Sequence, residues 1–208
     1  MNEWVAVAVL AKAPIAGFAK TRLIPALGAD GAALLQARLT ERAVATACDA
    51  AVGPVTVWAT PDEGHPGFQA LAASFDVAFA RQGDGDLGAR MLAAVATAAG
   101  PCLVIGTDCP ALTTIHLRNA ADILRQGADA VVIPADDGGY VLIGMRQAQP
   151  ALLSDMRWST PDVMDETRRR LRKLGLAWRE PVTLWDVDVP VDLERLRGIG
   201  LQDFIPSQ

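Results

Sequence analysis

Ala11-Lys-Ala-Pro-Ile-Ala-Gly-Phe-Ala-Lys-Thr-Arg22 follows an apolar run, Trp4 to Leu10, that reads as a buried first strand. Lys12, Lys20 and Arg22 fall in a loop opened by Pro14 and loosened by Gly17. The chain as a whole is acidic, with a formal net charge of -5 and a pI near 5.0. Three cations bunched after a strand on such a body are explained by an anion that the loop wraps, most often the phosphates of a nucleotide. The plainer reading is a solvated loop with scattered basic residues.

Beyond this loop, short apolar runs alternate with longer amphipathic ones. The strands read from the sequence are Val5–Leu10, Val55–Ala59, Val77–Ala80, Cys102–Ile105, Ala130–Ile133, Tyr140–Ile143 and Ala177–Leu184. Most are continuously apolar, as strands covered on both faces are. Helices are expected over Gly31–Val52, Gly67–Ser74, Leu87–Ala99, Thr114–Gln126, Pro161–Leu174 and Val191–Arg197. Asp30 and Thr160 are their expected caps, with Pro161 in a first turn and Gly175 as a stop. The alternation predicts an α/β fold with a mainly parallel sheet flanked by helices. Turn chemistry in Ala135-Asp-Asp-Gly-Gly139 makes one strand antiparallel, so the sheet is mixed.

The 208 residues, 51% of them apolar, are expected to form one domain over 1–208. The acidic balance argues against a nucleic-acid binder. Cys48, Cys102 and Cys109 have no metal spacing, and three cysteines cannot all pair, which suggests reduced thiols in a cytoplasmic protein. Cys48 and Cys102 read as core; Cys109, after an aspartate in a loop, is the one candidate for a reactive thiol. No signal peptide is legible, and no stretch reaches the roughly 18 apolar residues of a membrane span. His65 and His116 have no partner pattern, and neither a nucleophile elbow nor a Walker loop is present. Arg168-Arg-Arg170 lies late in a helix and reads as a solvated face.

Ligands of open α/β sheets bind beyond the carboxyl ends of the strands. Five such ends carry the cationic loop, Gln82-Gly-Asp-Gly-Asp-Leu-Gly88, Gly106-Thr-Asp-Cys-Pro110, Asp136-Asp-Gly-Gly139 and Asp186-Val-Asp-Val-Pro190. Asp108, in a turn stiffened by Pro110, suits a hard divalent cation, Mg²⁺ or Mn²⁺. Asp186 and Asp188 are the next contributors. They are expected to point to opposite sides, with Asp188 favoured for the metal; capping of the helix that follows is the structural alternative. Asp136 and Asp137 form either a turn or a site for an acceptor hydroxyl, with a carboxylate as base. Gly83, Gly85 and Gly88 fit a base-binding loop from which Arg90 reaches a phosphate; an ordinary flexible connection is the alternative. Trp158, before a helix N-terminus, either stacks on a ring or packs over the core edge. Cations plus a carboxylate-held metal suit either sugar transfer with a departing nucleoside diphosphate, or nucleotidyl transfer with departing pyrophosphate. The residues by themselves do not separate the two.

Six motifs occur in order: Lys12 to Leu23, Gly85-Asp-Leu-Gly88, Gly106-Thr-Asp-Cys-Pro110, Asp137-Gly-Gly-Tyr-Val-Leu-Ile-Gly144, Trp158-Ser-Thr-Pro161 and Asp186-Val-Asp188. Over residues 5–197 the chain resembles the small bacterial glycosyltransferases called radical-SAM/selenodomain-associated transferases, some linked to arsenosugar biosynthesis. The resemblance implies a GT-A-type nucleotide-diphospho-sugar transferase fold. It implies phosphate binding by Lys12, Lys20 and Arg22, with Gly17 in their loop, and a nucleotide pocket lined by Gly85, Asp86 and Gly88 with Arg90 beside it. By the resemblance Asp108 would be the metal aspartate. From the residues themselves, Asp108 and Asp137 are the expected catalytic carboxylates, and Gly138, Gly139 and Trp158 are expected on the acceptor side. The chain is also similar to phospholactate guanylyltransferases, in which a late Asp-x-Asp segment contributes to metal binding; this raises Asp186 and Asp188. Cys109 stands where Ser is common, and Val189 where Thr is common. The expected function is therefore a metal-dependent glycosyltransferase acting on a nucleotide sugar and a small-molecule acceptor. Alternatives are a nucleotidyltransferase using a nucleoside triphosphate and a non-catalytic nucleotide-binding accessory protein.

Overall fold

In the computed structural model, residues 4–206 are described. Seven strands form one sheet: β1 Ala6–Lys12, β2 Val55–Thr60, β3 Ala78–Arg81, β4 Cys102–Ile105, β5 Ala130–Pro134, β6 Tyr140–Met145 and β7 Trp178–Arg179. Their order is β3-β2-β1-β4-β6-β5-β7. All neighbours pair in parallel except β6, which runs antiparallel to both β4 and β5, so the sheet is mixed as expected. The helices are α1 Ile24–Ala50, α2 Pro66–Ser74, α3 Leu87–Thr97, α4 Thr114–Arg125, α5 Pro150–Leu153, α6 Val163–Lys173 and α7 Asp192–Gly198. None among the described residues is long and apolar enough to cross a membrane.

The continuous apolar strands are explained by two cores. Val7, Val9, Leu103, Ile105, Val131 and Ile133 pack on one face of the sheet with residues of α1 and α4. Ala8, Cys102, Val104, Ala130, Val132 and Ile143 pack on the other with Met91, Met164 and Leu171. Adjacent residues in a strand point to opposite faces, so a strand buried on both must be apolar at every position. A third, smaller core joins Leu23, Leu35 and Leu39 to Val187, Leu193 and Leu196, and fastens the late segment to α1.

Three local expectations are corrected. A short helical turn from Ile24, with Pro25 in it, precedes the expected first helix; Gly28 (φ 71°, ψ 168°) is non-helical and divides it from the long segment, which starts just ahead of Gly31. Asp30 makes no capping hydrogen bond among the described residues. The last strand shrinks to Trp178–Arg179, plus a single bridge between Leu184 and Ala135. Pro181 has no N–H for the ladder and lies in the interruption. Thr160 does not cap α6: its hydroxyl donates to the Arg157 carbonyl at 2.9 Å, and the helix starts from Asp162.

Candidate functional site

Strands β2 and β3 lie on one side of β1 and β4 lies on the other, so the strand order reverses between β1 and β4. Diverging connections leave a crevice at such a point, beyond the carboxyl ends of the strands. Here the crevice is a cleft of about 410 Å³. Lys12, which ends β1 and is not in the loop as expected, reaches it with Lys20 and Arg22 from the loop that follows, Asp108 from the turn after β4, and Asp186 and Asp188 from the late segment.

Lys20 is the structural centre. Its side chain is only 4% exposed, and Nζ lies 2.5 Å from Asp108 Oδ1. Nζ also donates to the Val187 carbonyl at 2.6 Å, and the Val187 N–H donates to the Asp108 carbonyl at 2.8 Å. One lysine therefore pins together the loop after β1, the turn after β4 and the late segment. Its backbone is left-handed (φ 48°, ψ 45°), a conformation uncommon for a residue with a side chain and often found at functional sites. Arg22, which is exposed, pairs with Asp188. Lys12 donates to the Phe18 carbonyl at 2.5 Å and closes the loop on itself.

Asp186 and Asp188 both line the cleft, correcting the expectation that they face opposite ways. Residues two apart in an extended chain share a face, and it is the intervening Val187 that turns into the core. Nor do they cap α7. Asp192 does the holding instead, accepting from the Asp188 and Val189 N–H groups at 2.9 Å each. Burial, then the charges of Asp137 and Asp108, push the Asp186 carboxyl up to about 6. Among the described residues no group of three His, Cys, Asp or Glu side chains is gathered as a metal site.

Other expected site residues lie outside the cleft lining. Asp86 caps α3, accepting from the Ala89 N–H at 2.9 Å. A Cβ on Gly88 would lie 2.4 Å from the Leu153 carbonyl oxygen and 2.9 Å from Trp158, so this glycine seats α3 against α5. Gly17 and Gly85 are exposed, both with positive φ. Arg90 approaches Gln82 Oε1 at 3.5 Å, while its Nε is buried without a hydrogen-bond partner among the described residues. Asp137 forms an Asx-turn, with Oδ1 accepting from the Gly139 N–H at 2.9 Å, and remains close enough to raise Asp186. Asp136 pairs with Arg195 at 2.8 Å, and Arg195 stacks on Trp185. A Cβ on Gly138 (φ 95°) would meet the Pro161 carbonyl at 2.1 Å, so this glycine packs against the following helix entry. Trp158 supports the cleft from behind, edge-on to Tyr140 at 6.3 Å between ring centres.

Burial pushes the Cys109 thiol up to about 12, which removes it as a reactive group although it borders the cleft. The two histidines are caps: His65 Nδ1 accepts from Gly67, and His116 forms a capping box with Thr113. Arg168 and Arg169 of α6 pair with Asp165, Glu180 and Glu166, as a solvated face does, but Arg170 is only 14% exposed and donates to the Leu152 and Asp155 carbonyls as well as to Glu166, so it ties α6 to α5 and corrects the expectation for that position.

Several lining residues have no counterpart in the sequence reading. Leu10, Leu87, Met91, Val104 and Tyr140 give the cleft an apolar wall, and Phe18, 66% exposed, stands at its mouth. Their types are those of any core, so nothing in the sequence sets them apart. Gln36 and Thr107 are different. Both are buried, at 3% and 5% exposure, and both line the cleft. The available signal was a pair of polar residues, Gln36 and Thr40, on the apolar stripe of Ala32, Leu35 and Leu39.

The same architecture occurs in solved structures. A provisionally named nucleotide-diphospho-sugar transferase from Desulfovibrio desulfuricans G20 superimposes with a TM-score of 0.81 at 28% identity, over 91% of this chain and 84% of that one. A 4-diphosphocytidyl-2C-methyl-D-erythritol synthase from Anaerococcus prevotii shares the fold at a TM-score of 0.62 and 10% identity, over 95% and 99% of the two chains. A nucleotidyl transferase from Methanothermobacter does so at 0.60 and 20%, over 96% and 99%. No curated protein matches the chain in sequence. The fold is thus that of nucleotide-diphospho-sugar transferases and nucleotidyl transferases. Residues 43–160, more than half of the chain, match the model of the family described as "Uncharacterized protein conserved in bacteria (DUF2064)", and the chain belongs to that family.

Proposed function

We propose that this protein is a transferase acting on a nucleotide-activated donor, and that it moves a sugar from a nucleotide sugar to a small-molecule acceptor. One observation carries the reading. At the point where the strand order reverses, three cations and three carboxylates line a single cleft with an apolar wall. Such a cleft suits a ligand that is anionic at one end and flat and apolar at the other. The likeness to the Desulfovibrio protein, at 28% identity, favours the sugar-transfer form.

The residues fit a divalent cation. Asp108 and Asp186 offer hard oxygen donors close enough to repel each other, and Asp188 becomes a third once Arg22 leaves it. An incomplete cage suits Mg²⁺ or Mn²⁺, which takes its remaining ligands from phosphate and water. When bound, the metal would neutralise charge on the departing diphosphate. Arg22 is exposed and can exchange Asp188 for a phosphate oxygen, whereas Lys20 is anchored and has one of its three N–H groups left to donate. Lys12 adds a third positive charge at the same end. Asp137 is the candidate base. As the anomeric carbon leaves the β-phosphate oxygen and bonds to the acceptor oxygen, the acceptor proton passes to the carboxylate oxygen not used in the Asx-turn. Gly138, Gly139 and Trp158 then belong to the acceptor side as backbone and supporting ring.

By its sequence resemblance the protein falls with the radical-SAM/selenodomain-associated, arsenosugar-type transferases, acting in the cytoplasm as a single domain over residues 1–208. Incubation with nucleotide sugars and Mn²⁺ tests the reaction class. Release of nucleoside diphosphate, with the sugar on an acceptor or on water, supports sugar transfer. Release of pyrophosphate from a nucleoside triphosphate would replace it with nucleotidyl transfer. Tight binding without turnover of any donor would leave the accessory role.

A further inference from the structure

Gln36 sits on α1 beyond its kink at Gly28, buried, yet forms part of the cleft wall. Its orientation follows from its partners. The Thr40 hydroxyl donates to the Gln36 backbone carbonyl at 2.8 Å, so it must accept from the Gln36 side chain, whose nitrogen lies 3.1 Å away. The same amide nitrogen donates to Thr107 Oγ1 at 3.0 Å. Thr107 in turn has Asp108 Oδ1 within a long 3.5 Å. Both N–H bonds of the amide are thereby fixed away from the ligand space. The carbonyl oxygen Oε1 accepts from no group among the described residues, and it is not among their sealed, unpartnered atoms. A glutamine that lines the cleft with both donors anchored keeps Oε1 as its free acceptor, on an amide fixed to Thr107, the neighbour of Asp108.

We propose that Gln36 is a ligand-recognition residue whose Oε1 accepts a hydrogen bond from an O–H group of the bound donor complex. This rests on the reading of the cleft as a site for a nucleotide-activated donor with a divalent cation. Beside a carboxylate and an ammonium group, the donor to a neutral carbonyl is a hydroxyl of the ribose or the transferred sugar, or a water held by the cation. All three are the same chemistry. The anchoring is what gives the contact value, since a pre-oriented acceptor loses no side-chain freedom on binding and is left unpaired by a ligand lacking the O–H.

The test is calorimetry on the full chain with UDP, GDP, CDP, dTDP and their nucleotide sugars in Mn²⁺, comparing the parent with Gln36→Met. For the nucleotide that binds the parent, the variant is expected to bind about tenfold more weakly, the scale of one hydrogen bond. Further arms remove one donor each: 2′-deoxy and 3′-deoxy nucleotides, the nucleotide without its sugar, and omission of Mn²⁺. The parent-to-variant ratio falls to one in the arm that lacks the true donor, which identifies its source. Equal affinities throughout would overturn the proposal while leaving the proposed function standing, because the parent still binds. A tenfold loss identical in every arm would also overturn it, since displacement of Asp108 would act in that way. Failure of the parent to bind any of these probes would overturn both. Should the Met variant not fold, Thr107→Val releases one anchor of the amide, and it is expected to lose the same selectivity between hydroxyl and deoxy ligands.

Discussion

Lys20 and Asp186 are residues whose surroundings matter more than their types. Lys20 is held between Asp108 and the Val187 carbonyl, so its removal takes away a charge facing the ligand and loosens two loops. Lys20→Ala is expected to weaken nucleotide binding by about 1.5–3 kcal/mol, the range for a charge-assisted hydrogen bond, as read by calorimetry. Asp186 presents the opposite case. Its carboxyl is raised from 3.8 to about 6 by burial and by Asp137 and Asp108, so the folded state holds its proton more tightly than the unfolded chain. Stability from this group is present below about pH 4 and is lost as pH rises through 6. The full shift corresponds to about 3 kcal/mol, and partial exposure reduces it to about 1 kcal/mol. Without metal, Asp186→Asn is therefore expected to melt higher than the parent at pH 7.5 and equally at pH 3.5; a lower melting temperature at pH 7.5 would refute the crowding of carboxylates. The sequence made the acidic and basic residues of the site legible, because charges after buried strands stand out. It did not reveal Gln36 or Thr107, since a neutral polar side chain signals its role only through the partners that orient it.

At the scale of elements, the strands were readable because two-sided burial forces unbroken apolar runs such as Cys102–Ile105 and Ala130–Pro134. The last strand was not, because Ala177–Leu184 has the right composition while Pro181 denies it a ladder. The glycine-rich stretch before α3 shows the same limit. Its glycines fit a ligand loop as well as they fit close packing, and the approach of Leu153 and Trp158 to Gly88 shows that this one serves close packing. Gly88→Ala is expected to cost about 1–3 kcal/mol by overpacking against a backbone carbonyl, measured by denaturant unfolding. The same substitution at Gly83, where a Cβ meets nothing within 4 Å, should leave stability nearly unchanged. Comparable losses at both positions would mean that α3 does not sit on α5 as described.

Across the whole molecule, the position of the site follows from the strand order. β1 receives β2 on one side and β4 on the other, which opens a crevice between the loop carrying Lys20 and the turn carrying Asp108. The late segment with Asp186 and Asp188 is brought there by the small core under α7, through Val187, Leu193 and Leu196. Sequence order alone could say that these groups follow strands; which strands are neighbours is a property of topology, whereas Asp86, Gly88 and Arg90 are set apart from Leu87 and Met91 by the side of the α3 N-terminus they occupy. The central claim is that this cleft binds a nucleotide together with a divalent cation through Asp108. The most direct measurement is calorimetry of UDP, GDP, CDP and dTDP, with the matching triphosphates and nucleotide sugars, with and without Mn²⁺, on the parent and on Asp108→Asn. The account predicts metal-dependent binding of one base series by the parent, and loss of the metal dependence in a variant that still melts cooperatively. Binding with the same metal dependence in Asp108→Asn, or no metal-dependent binding by the parent, would contradict it.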